Sequence, residues 1–320
     1  MLDDDVFGNL EKNSTRSGLG KGLLELGEKN NDVVVLTADL CESTQTNLFK
    51  EKFPNRFFEC GVAEANMISI AAGLASVGKI PFATTFGVFA PGRNLDQIRV
   101  SVCYSDFNVK IASTHCGLNT GEDGASHQAT EDIALMRSMP NMKVVVPCDF
   151  VEAKKATIAA GTIKGPFYLR YGRNKIPIIT NDDTPFKIGK AEVFKKGKDV
   201  TIIACGLHVY EALVAAKQLE KDKIDAQVIN CHTIKPIDKD TIIKAAKQTG
   251  AIVTAEDHQI IGGLGSAIAE VVVDKYPIPI KMVGIKDRFG TSGNPDELMV
   301  EYGLTSSDIV NAVYEVLKMK

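Results

Sequence analysis

Short runs of valine and isoleucine alternate along the chain with longer stretches in which apolar residues recur at helical spacing. Runs this short and continuous are typical of strands buried on both faces of a sheet. The predicted strands are 33–36, 109–112, 144–146, 168–169, 200–204, 227–229, 251–254 and 281–285. The predicted helices between them include 152–163, 209–220 and 264–274. This alternation predicts an α/β fold with mostly parallel sheets flanked by helices.

The pattern is interrupted between residues 174 and 199, where proline, asparagine, aspartate and lysine accumulate. A segment of this composition is typical of a domain boundary. A chain of 320 residues is also long enough for about two domains. We therefore predict two α/β domains, residues 1–180 and 181–320, with the interruption as the linker between them.

Composition excludes several classes of protein. Hydrophobic residues make up 44%, charged residues make up 24% and the net charge is −3, which disfavours disorder and a basic nucleic-acid binder. The longest apolar stretches, 67–78 and 80–92, are shorter than the roughly 20 residues of a spanning helix. The acidic N-terminus is unlike a signal peptide, and seven cysteines without a Cys-x-x-Cys pair argue against disulfides and zinc. We expect a soluble cytoplasmic protein with no membrane or nucleic-acid partner.

Polar and ionisable residues directly follow several predicted strands. They include Asp39, His115, Asp149 and the Glu-Asp-His run at 256–258. Ligands of open α/β sheets bind beyond the carboxyl ends of the strands, so the set indicates a candidate site. For each position taken alone, ordinary strand termination is the favoured explanation, and for the whole set the two explanations are about equally supported.

One carboxyl stands in an otherwise apolar segment, residues 59–78. In a helix, Glu64 would share a face with Ile68 and Ala71. A carboxyl on an apolar face needs a partner or a proton, and a pKa raised by burial would let it pass a proton near neutral pH. Alternatively, Glu64 lies solvated in the first helical turn, where acidic residues are common. The residues alone favour this second interpretation.

Two other segments could carry chemistry. Residues 81–93 hold Phe82, Phe86 and Phe89, whose rings could stack on a flat heterocycle, although core packing is the commoner role of such a cluster. Residues 115–127 gather two of the five histidines, two acids and three glycines. Glycines allow a close approach to a ligand, and imidazole and carboxyl groups can transfer protons. No pair has zinc-ligand spacing, and packing alone would not concentrate these groups.

Two glycine-rich runs carry less information. Residues 18–22 precede the first predicted strand, whereas the dinucleotide fingerprint must follow a strand. Residues 262–265 follow a strand and open a helix. They could accept an anion at the helix N-terminus or form a tight turn.

Taken together, these segments resemble the C-terminal half of transketolase, its pyrimidine-binding domain followed by its C-terminal domain. The motifs in question are Thr-Ala-Asp-Leu at 37–40, Gly-Val-Ala-Glu-Ala-Asn-Met at 61–67, Thr-Thr-Phe-Gly-Val-Phe at 84–89, Thr-His-Cys-Gly-Leu-Asn-Thr-Gly-Glu-Asp-Gly-Ala-Ser-His-Gln at 114–128, Pro-Asn-Met at 140–142, Pro-Cys-Asp at 147–149 and Tyr-Gly-Arg at 171–173. Their order and spacing are far more specific than any one of them.

The family binds thiamine diphosphate between two subunits. The resemblance implies that Glu64 hydrogen-bonds the aminopyrimidine of this cofactor and activates it by proton transfer. It implies that Phe86 and Phe89 pack on the pyrimidine ring and that Asp39 lies beside it. A further aromatic position of the family is Gly92 here, so that pocket wall would be thinner or filled from elsewhere.

The resemblance also implies a set of substrate contacts. His115, Asp123 and His127 would contact donor hydroxyls and phosphate or relay protons, with both histidines counted as catalytic. Arg173 would bind phosphate, a role that suits a guanidinium.

The family's diphosphate domain holds Mg²⁺ through a Gly-Asp-Gly motif and a later asparagine. No Gly-Asp-Gly occurs in this chain. The resemblance therefore implies a split transketolase whose N-terminal subunit supplies that domain and the metal, in a self-associating heterotetramer. Such an enzyme of the pentose phosphate pathway moves a two-carbon ketol unit between sugar phosphates.

Three alternatives remain at this stage. The β subunit of a 2-oxoacid dehydrogenase E1 component has similar length, but its loop lacks the His…Gly-Glu-Asp-Gly…His arrangement. A 1-deoxyxylulose-5-phosphate synthase usually has an acidic residue at the position of His115 and a small one at that of Glu122. A non-catalytic α/β protein could keep the motifs as relics, although Glu64 and the loop histidines would then be lost first.

Overall fold

The computed structural model describes residues 6–320, in which strands and helices alternate along the chain. The strands are β1 (Lys12–Asn13), β2 (Val33–Thr37), β3 (Phe57–Glu59), β4 (Ile80–Phe86), β5 (Lys110–Thr114), β6 (Lys143–Val145), β7 (Phe167–Arg170), β8 (Ile176–Pro177), β9 (Glu192–Lys195), β10 (Val200–Ala204), β11 (Ala226–Asn230), β12 (Thr233–Lys235), β13 (Ile252–Gln259) and β14 (Ile280–Ile285). The helices are α1 (Thr15–Lys29), α2 (Asn47–Lys52), α3 (Glu64–Ser76), α4 (Leu95–Gln97), α5 (Asp132–Ser138), α6 (Phe150–Thr162), α7 (His208–Leu219), α8 (Lys239–Thr249), α9 (Leu264–Lys275), α10 (Pro295–Glu301) and α11 (Ser306–Leu317).

The first sheet has seven strands in the order β12-β6-β7-β5-β4-β2-β3. All its neighbours are parallel except β12 and β6, which pair antiparallel with Thr233 opposite Val145. The strand β12 comes from the second half of the chain. The edge of the first sheet is therefore completed by a strand that lies beyond the predicted linker.

The second sheet has five strands in the order β14-β13-β10-β11-β9. Only β9 runs antiparallel to its neighbour. The central strand β10 is buried along its whole length, as expected for a parallel strand covered by helices on both faces. A two-stranded ribbon of β1 and β8 is separate from both sheets.

Several helices in this fold begin at a side-chain cap. The hydroxyl of Ser14 accepts the N–H of Ser17 at the start of α1, and the carboxylate of Asp149 accepts the N–H of Glu152 at the start of α6. Thr305 and Asp308 form a reciprocal capping box at α11. Each arrangement satisfies backbone N–H groups that have no partner within the helix.

The glycine-rich run 18–22 lies inside α1 and brings that helix close to α6. A Cβ at Gly18 would lie 2.4 Å from the backbone oxygen of Phe150, and one at Gly22 would lie 2.7 Å from Cβ of Thr157. Glycine at these positions thus permits tight packing of the two helices. This role agrees with the sequence argument that the run is not a dinucleotide fingerprint.

The predicted fold class is confirmed, and all eight predicted strands are present within a few residues of their expected bounds. The sequence pattern missed β4 and the short strands β1, β3, β8, β9 and β12. The division at residue 180 stays a prediction. No helix among residues 6–320 is both long and apolar enough to cross a membrane.

Candidate active site

The candidate site lies at the carboxyl ends of the neighbouring strands β2, β4 and β5. Register pairs Thr37 with Thr84 and Phe86 with Thr114, so these three strands end at one edge of the sheet. Asp39 follows β2, Phe86 closes β4 and His115 follows β5. The parallel topology therefore gathers residues that are 76 positions apart in the chain.

A stacked aromatic wall forms the centre of this site. The ring centroids of Phe86 and Phe89 are 5.7 Å apart, with an angle of 18° between the ring planes. The imidazole of His115 also stacks on Phe86, with ring centroids 3.7 Å apart. His127 meets Phe89 edge-on at 5.5 Å. Four rings that are distributed over 42 positions of the chain thus form one continuous surface.

Glu64 is buried at the first position of α3, with 5% of its surface exposed. Its Oε1 lies 3.3 Å from Nη1 of Arg93, and the guanidinium of Arg93 lies 4.1 Å from the ring centroid of Phe89. Neither sequence interpretation is complete, since the carboxyl is in the first helical turn yet buried beside a cation. This arrangement connects Glu64 to the aromatic wall through Arg93.

Arg93 was not identified from the sequence, although a signal for it existed. A buried carboxyl needs a cation or hydrogen-bond donor nearby. Arg93 is the only basic residue in the aromatic segment 81–93. A search for the partner of Glu64 within the neighbouring motif would have found it.

His115 adopts a left-handed backbone conformation with φ of 56°. Its Nδ1 lies 2.9 Å from Oγ1 of Thr114, and its carbonyl accepts a hydrogen bond of 2.8 Å from Thr120 Oγ1. Burial, assisted by the positive charges of Arg16 and Arg173 nearby, lowers the pKa of His115 to about 3. At neutral pH the side chain is therefore an uncharged imidazole that can both donate and accept a hydrogen bond.

Two guanidinium groups lie near His115. Arg16 Nη1 donates to the backbone oxygen of Ser43 at 2.9 Å, and burial together with the charge of Arg173 lowers the pKa of Arg16. Arg173 Nη1 donates to the backbone oxygen of Thr120 at 2.8 Å and pairs with Glu122 at 2.9 Å. Because the two guanidinium groups repel each other, an anion bound next to both would be stabilised by their charges. Nothing in the local pattern identified Arg16, which only the fold of α1 brings here.

The remaining predicted site residues lie on the open side of this region. Asp39 is exposed, with φ of 60°, and its backbone N–H donates to Glu59 Oε1 at 2.7 Å. Asp123 is exposed, and His127 is half-buried with Nδ1 2.9 Å from Ser126 Oγ. The structure therefore brings Glu64, Phe86, Phe89, His115 and His127 into one surface. The chemical roles of all these residues stay predictions.

Other acidic residues at strand ends serve the fold. The carboxylate of Asp149 accepts the backbone N–H groups of Ile179 and Thr180 in addition to capping α6. The carboxylate of Glu256 accepts the N–H groups of Leu264 and Gly265 at 2.7 and 2.8 Å. An internal carboxylate therefore occupies the N-terminus of α9, where the glycine run could otherwise have held an external anion.

The donor set of the site fits a flat heterocycle better than a metal ion. Stacked phenylalanine rings next to a buried carboxyl can hold an aromatic ring that bears nitrogen atoms. Across residues 6–320, no group of three or more histidine, cysteine, aspartate and glutamate side chains is placed to hold a metal ion.

Three exposed apolar residues lie in α3 or next to its ends. The exposed fractions are 72% for Val62, 37% for Ile70 and 75% for Val77. A Cβ at Gly73, in the same helix, would meet no atom within 4 Å. Apolar surface of this kind is typical of a contact with another protein.

Comparison with known proteins gives the same domain pair over most of the chain. Residues 11–178 match the family Transketolase, pyrimidine binding domain, and residues 189–309 match Transketolase, C-terminal domain. A Methanocaldococcus jannaschii protein provisionally described as a transketolase C-terminal section is 48% identical over 306 residues, covering 95% of this chain and 96% of that protein.

Two further similarities are of comparable extent. A 6-deoxy-6-sulfo-D-fructose transketolase subunit of a Clostridium species is 42% identical and covers 93% of this chain and 92% of that protein. The solved structure of a split-gene transketolase, described as an inactive β4 tetramer, superposes with a TM-score of 0.91 at 50% identity. That similarity covers 96% of this chain and 99% of the other.

Proposed function

This chain belongs to the transketolase family, and on that premise we propose that it is the C-terminal subunit of a split transketolase. The assembled enzyme would transfer a two-carbon ketol unit from a ketose phosphate to an aldose phosphate with thiamine diphosphate. The observation that carries the proposal is the buried Glu64, which is linked through Arg93 to the stacked rings of Phe86 and Phe89. Relatives of matching length named as transketolase sections or subunits support the split.

The residues of the site fit the aminopyrimidine half of the cofactor. Thiamine diphosphate, when bound, supplies a carbon nucleophile for the ketose carbonyl. Glu64 would hold and pass a proton at a ring nitrogen, and Arg93 would fix the direction of its carboxyl. Phe86 and Phe89 would stack on the ring, and the burial of Glu64 would exclude water from that hydrogen bond. Asp39 would lie on the pyrimidine side of the pocket.

The sugar substrate would be bound at the other end of the aromatic wall. Arg16 and Arg173 would bind its phosphate, since guanidinium groups recognise such oxyanions with paired hydrogen bonds. The uncharged imidazole of His115 would hydrogen-bond a substrate oxygen, and His127 and Asp123 would contact hydroxyls or relay protons. The sulfonated sugar in the name of the Clostridium relative is an anion of the same kind, so phosphate and sulfonate must be compared directly.

The partner would be an N-terminal transketolase subunit that carries the diphosphate domain and holds most of the ligands of Mg²⁺. The exposed apolar residues Val62, Ile70 and Val77 would be covered by a neighbouring subunit. Self-association would complete a heterotetramer, and the β4 arrangement of the similar split enzyme is compatible with it. We place this enzyme in the cytoplasm and in the pentose phosphate pathway.

The test is reconstitution from separate subunits. The chain is mixed with a partner that carries Gly-Asp-Gly and a downstream asparagine, together with Mg²⁺ and thiamine diphosphate, and ketol transfer between sugar phosphates is measured. We expect transfer by the complete mixture and none by either chain alone or without cofactor.

Ketol transfer by this chain alone would contradict the proposed division of the site. Decarboxylation of a 2-oxoacid by the mixture, without ketol transfer, would favour the E1 alternative. A parallel assay with sulfonated sugars would show which oxyanion the guanidinium pair selects.

A further inference from the structure

We propose that Asp257, in the C-terminal domain, is a positioning residue for the substrate loop, which we define as residues 115–128. This inference rests on the proposed function, because the loop carries the substrate-binding residues His115, Asp123 and His127. The C-terminal domain would then take part in catalysis through the geometry of this loop. No residue of that domain is among the predicted site residues.

The carboxylate of Asp257 lies directly against the start of the loop. Its Oδ1 accepts the backbone N–H of Leu118 at 2.9 Å, and its Oδ2 accepts that of Asn119 at 3.3 Å. Leu118 and Asn119 open the short 3₁₀ segment Leu118–Asp123. The carboxylate therefore serves as a cap that is supplied from 138 positions away in the chain.

The approach is close enough to require glycine in the loop. A Cβ at Gly117 would lie 2.0 Å from Oδ2 of Asp257, and Gly117 has φ of 82°. Asp257 itself is 4% exposed, and burial raises the pKa of its carboxyl while the charge of Arg170 opposes that change. A buried carboxylate with two N–H donors and a cation nearby is held in one orientation.

The same arginine ties Asp257 to the far end of the loop. Arg170 Nη2 donates to the backbone oxygen of Asp257 at 2.9 Å and to that of Ala129 at 3.1 Å. The guanidinium is fixed in turn by Asp132, whose Oδ2 is 2.7 Å from Nε. Asp257, near the end of β13, therefore contacts the start of the loop directly and is connected through Arg170 to the residue that follows the loop.

A second contact from the C-terminal domain reaches the end of the loop. Gln128 Nε2 donates to the backbone oxygen of Thr291 at 2.9 Å and to that of Gly121 at 3.0 Å. Gly290 lies so close that a Cβ there would be 1.8 Å from Gln128 Oε1. The amide of Gln128 thus bridges the middle of the loop to residues that precede α10.

The experiment compares Asp257→Asn with the matched control Glu256→Gln in the complete assembly. Glu256 is an adjacent buried carboxyl that also accepts two N–H groups, those of Leu264 and Gly265 within its own domain. The Asn variant offers one acceptor to two loop donors. We expect its KM for the sugar phosphate to rise about tenfold, the loss expected for a weakened charged hydrogen bond. We expect kcat and the thiamine diphosphate requirement to change less.

The second readout is backbone hydrogen exchange in the full chain, without cofactor or substrate. Peptides that cover residues 115–128 should exchange faster in Asp257→Asn, by about tenfold at the affected amides. Their exchange rate should be unchanged in Glu256→Gln. Equal exchange and equal KM in the two variants would overturn the proposal. Because this readout needs no turnover, failure of the proposed transketolase activity would be recognised separately.

A second variant keeps the proposal testable if Asp257→Asn does not fold. Gly290→Ala would displace the amide of Gln128 from its contacts with Thr291 and Gly121. We expect the same increase in loop exchange and in KM. Wild-type values of both quantities in a folded Gly290→Ala chain would contradict positioning by this domain.

Discussion

Glu64 illustrates how a single side chain acquires its chemistry from residues that are remote in sequence. Its carboxyl is buried at the start of α3 and lies 3.3 Å from Nη1 of Arg93. The guanidinium of Arg93 in turn packs over the ring of Phe89. A guanidinium next to a carboxylate fixes the direction in which the carboxyl group points. In the proposed function, this orientation would set the geometry of proton exchange with the cofactor nitrogen.

Replacing Glu64 by alanine should abolish turnover and leave the fold intact. Loss of a proton-transferring group costs about 10²–10⁴ in rate. The residue is at a helix terminus, so its removal leaves the backbone hydrogen bonds of α3 in place. Ketol transfer by the reconstituted enzyme and the oligomeric state of the variant would be measured together.

The control is Glu315→Ala, which also removes a carboxylate paired with a cation, Lys281 at 2.8 Å, but on the surface far along the chain. This control should keep the wild-type rate. A wild-type rate in Glu64→Ala would remove the proposed cofactor-activating role.

At the scale of elements, the packing of α1 on α6 places Arg16 in the site. The helix reaches its neighbour through glycines, since Gly18 and Gly22 face the backbone of Phe150 and the side chain of Thr157. Any side chain at these positions would move α1 outward and carry the guanidinium of Arg16 with it. The packing of α1 on α6 would thus be linked to the proposed recognition of a substrate phosphate by Arg16.

Gly22→Ala should destabilise the chain by about 1–3 kcal/mol, because its methyl group would overlap Thr157. The matched control is Gly73→Ala in α3, where a Cβ would meet nothing within 4 Å. That change should stabilise by about 0.5–1 kcal/mol through helix propensity. Thermal unfolding of both variants at one chain concentration would be compared. Equal midpoints would contradict the packing argument.

The sequence predicted the elements whose signals are local. Each of the eight expected strands contains a short run of apolar residues, and the structure has all of them. The strand β4 was missed because Pro81 and two threonines interrupt its apolar pattern. The strand β12 was missed because its three residues become a strand only by pairing with β6 of the other domain. Arg93 and Arg16 were missed for the same reason, since their partners are set by tertiary contacts.

On the scale of the whole molecule, buried polar groups join the two halves of the chain. Glu152, in α6, accepts hydrogen bonds of 2.7 Å from the backbone N–H of Cys148 and from Nδ2 of Asn230 in β11. Burial, reinforced by the charge of Asp149, raises the pKa of Glu152 to about 7. Between about pH 4.5 and about pH 7, Glu152 is therefore protonated in the folded chain and ionised in the unfolded chain.

The contribution of Glu152 to the stability of the molecule should consequently fall as the pH rises from about 4.5 to about 7. In this range the folded chain binds one more proton at Glu152 than the unfolded chain does, so unfolding releases a proton and is favoured by high pH. Glu152→Gln should remove about 3 kcal/mol of this pH dependence. The Oδ1 of Asn230 has no partner and can accept from the new amide after rotation of the Asn230 side chain.

The measurement is urea unfolding at a series of pH values between 5 and 8. The control is Glu51→Gln, an exposed position on α2, which should follow the wild-type curve. Identical pH dependence in wild type and Glu152→Gln would show that this carboxyl does not contribute.

The pairing of β12 with β6 has a consequence for how this protein can be divided. A fragment cut at the linker would leave the backbone amides and carbonyls of β6 unpaired along a free edge. Such an edge recruits other chains, and the fragment would form aggregates instead of a working half. The linker thus separates the two halves in sequence but not in structure. Gene fusions or truncations of this subunit should keep both domains together.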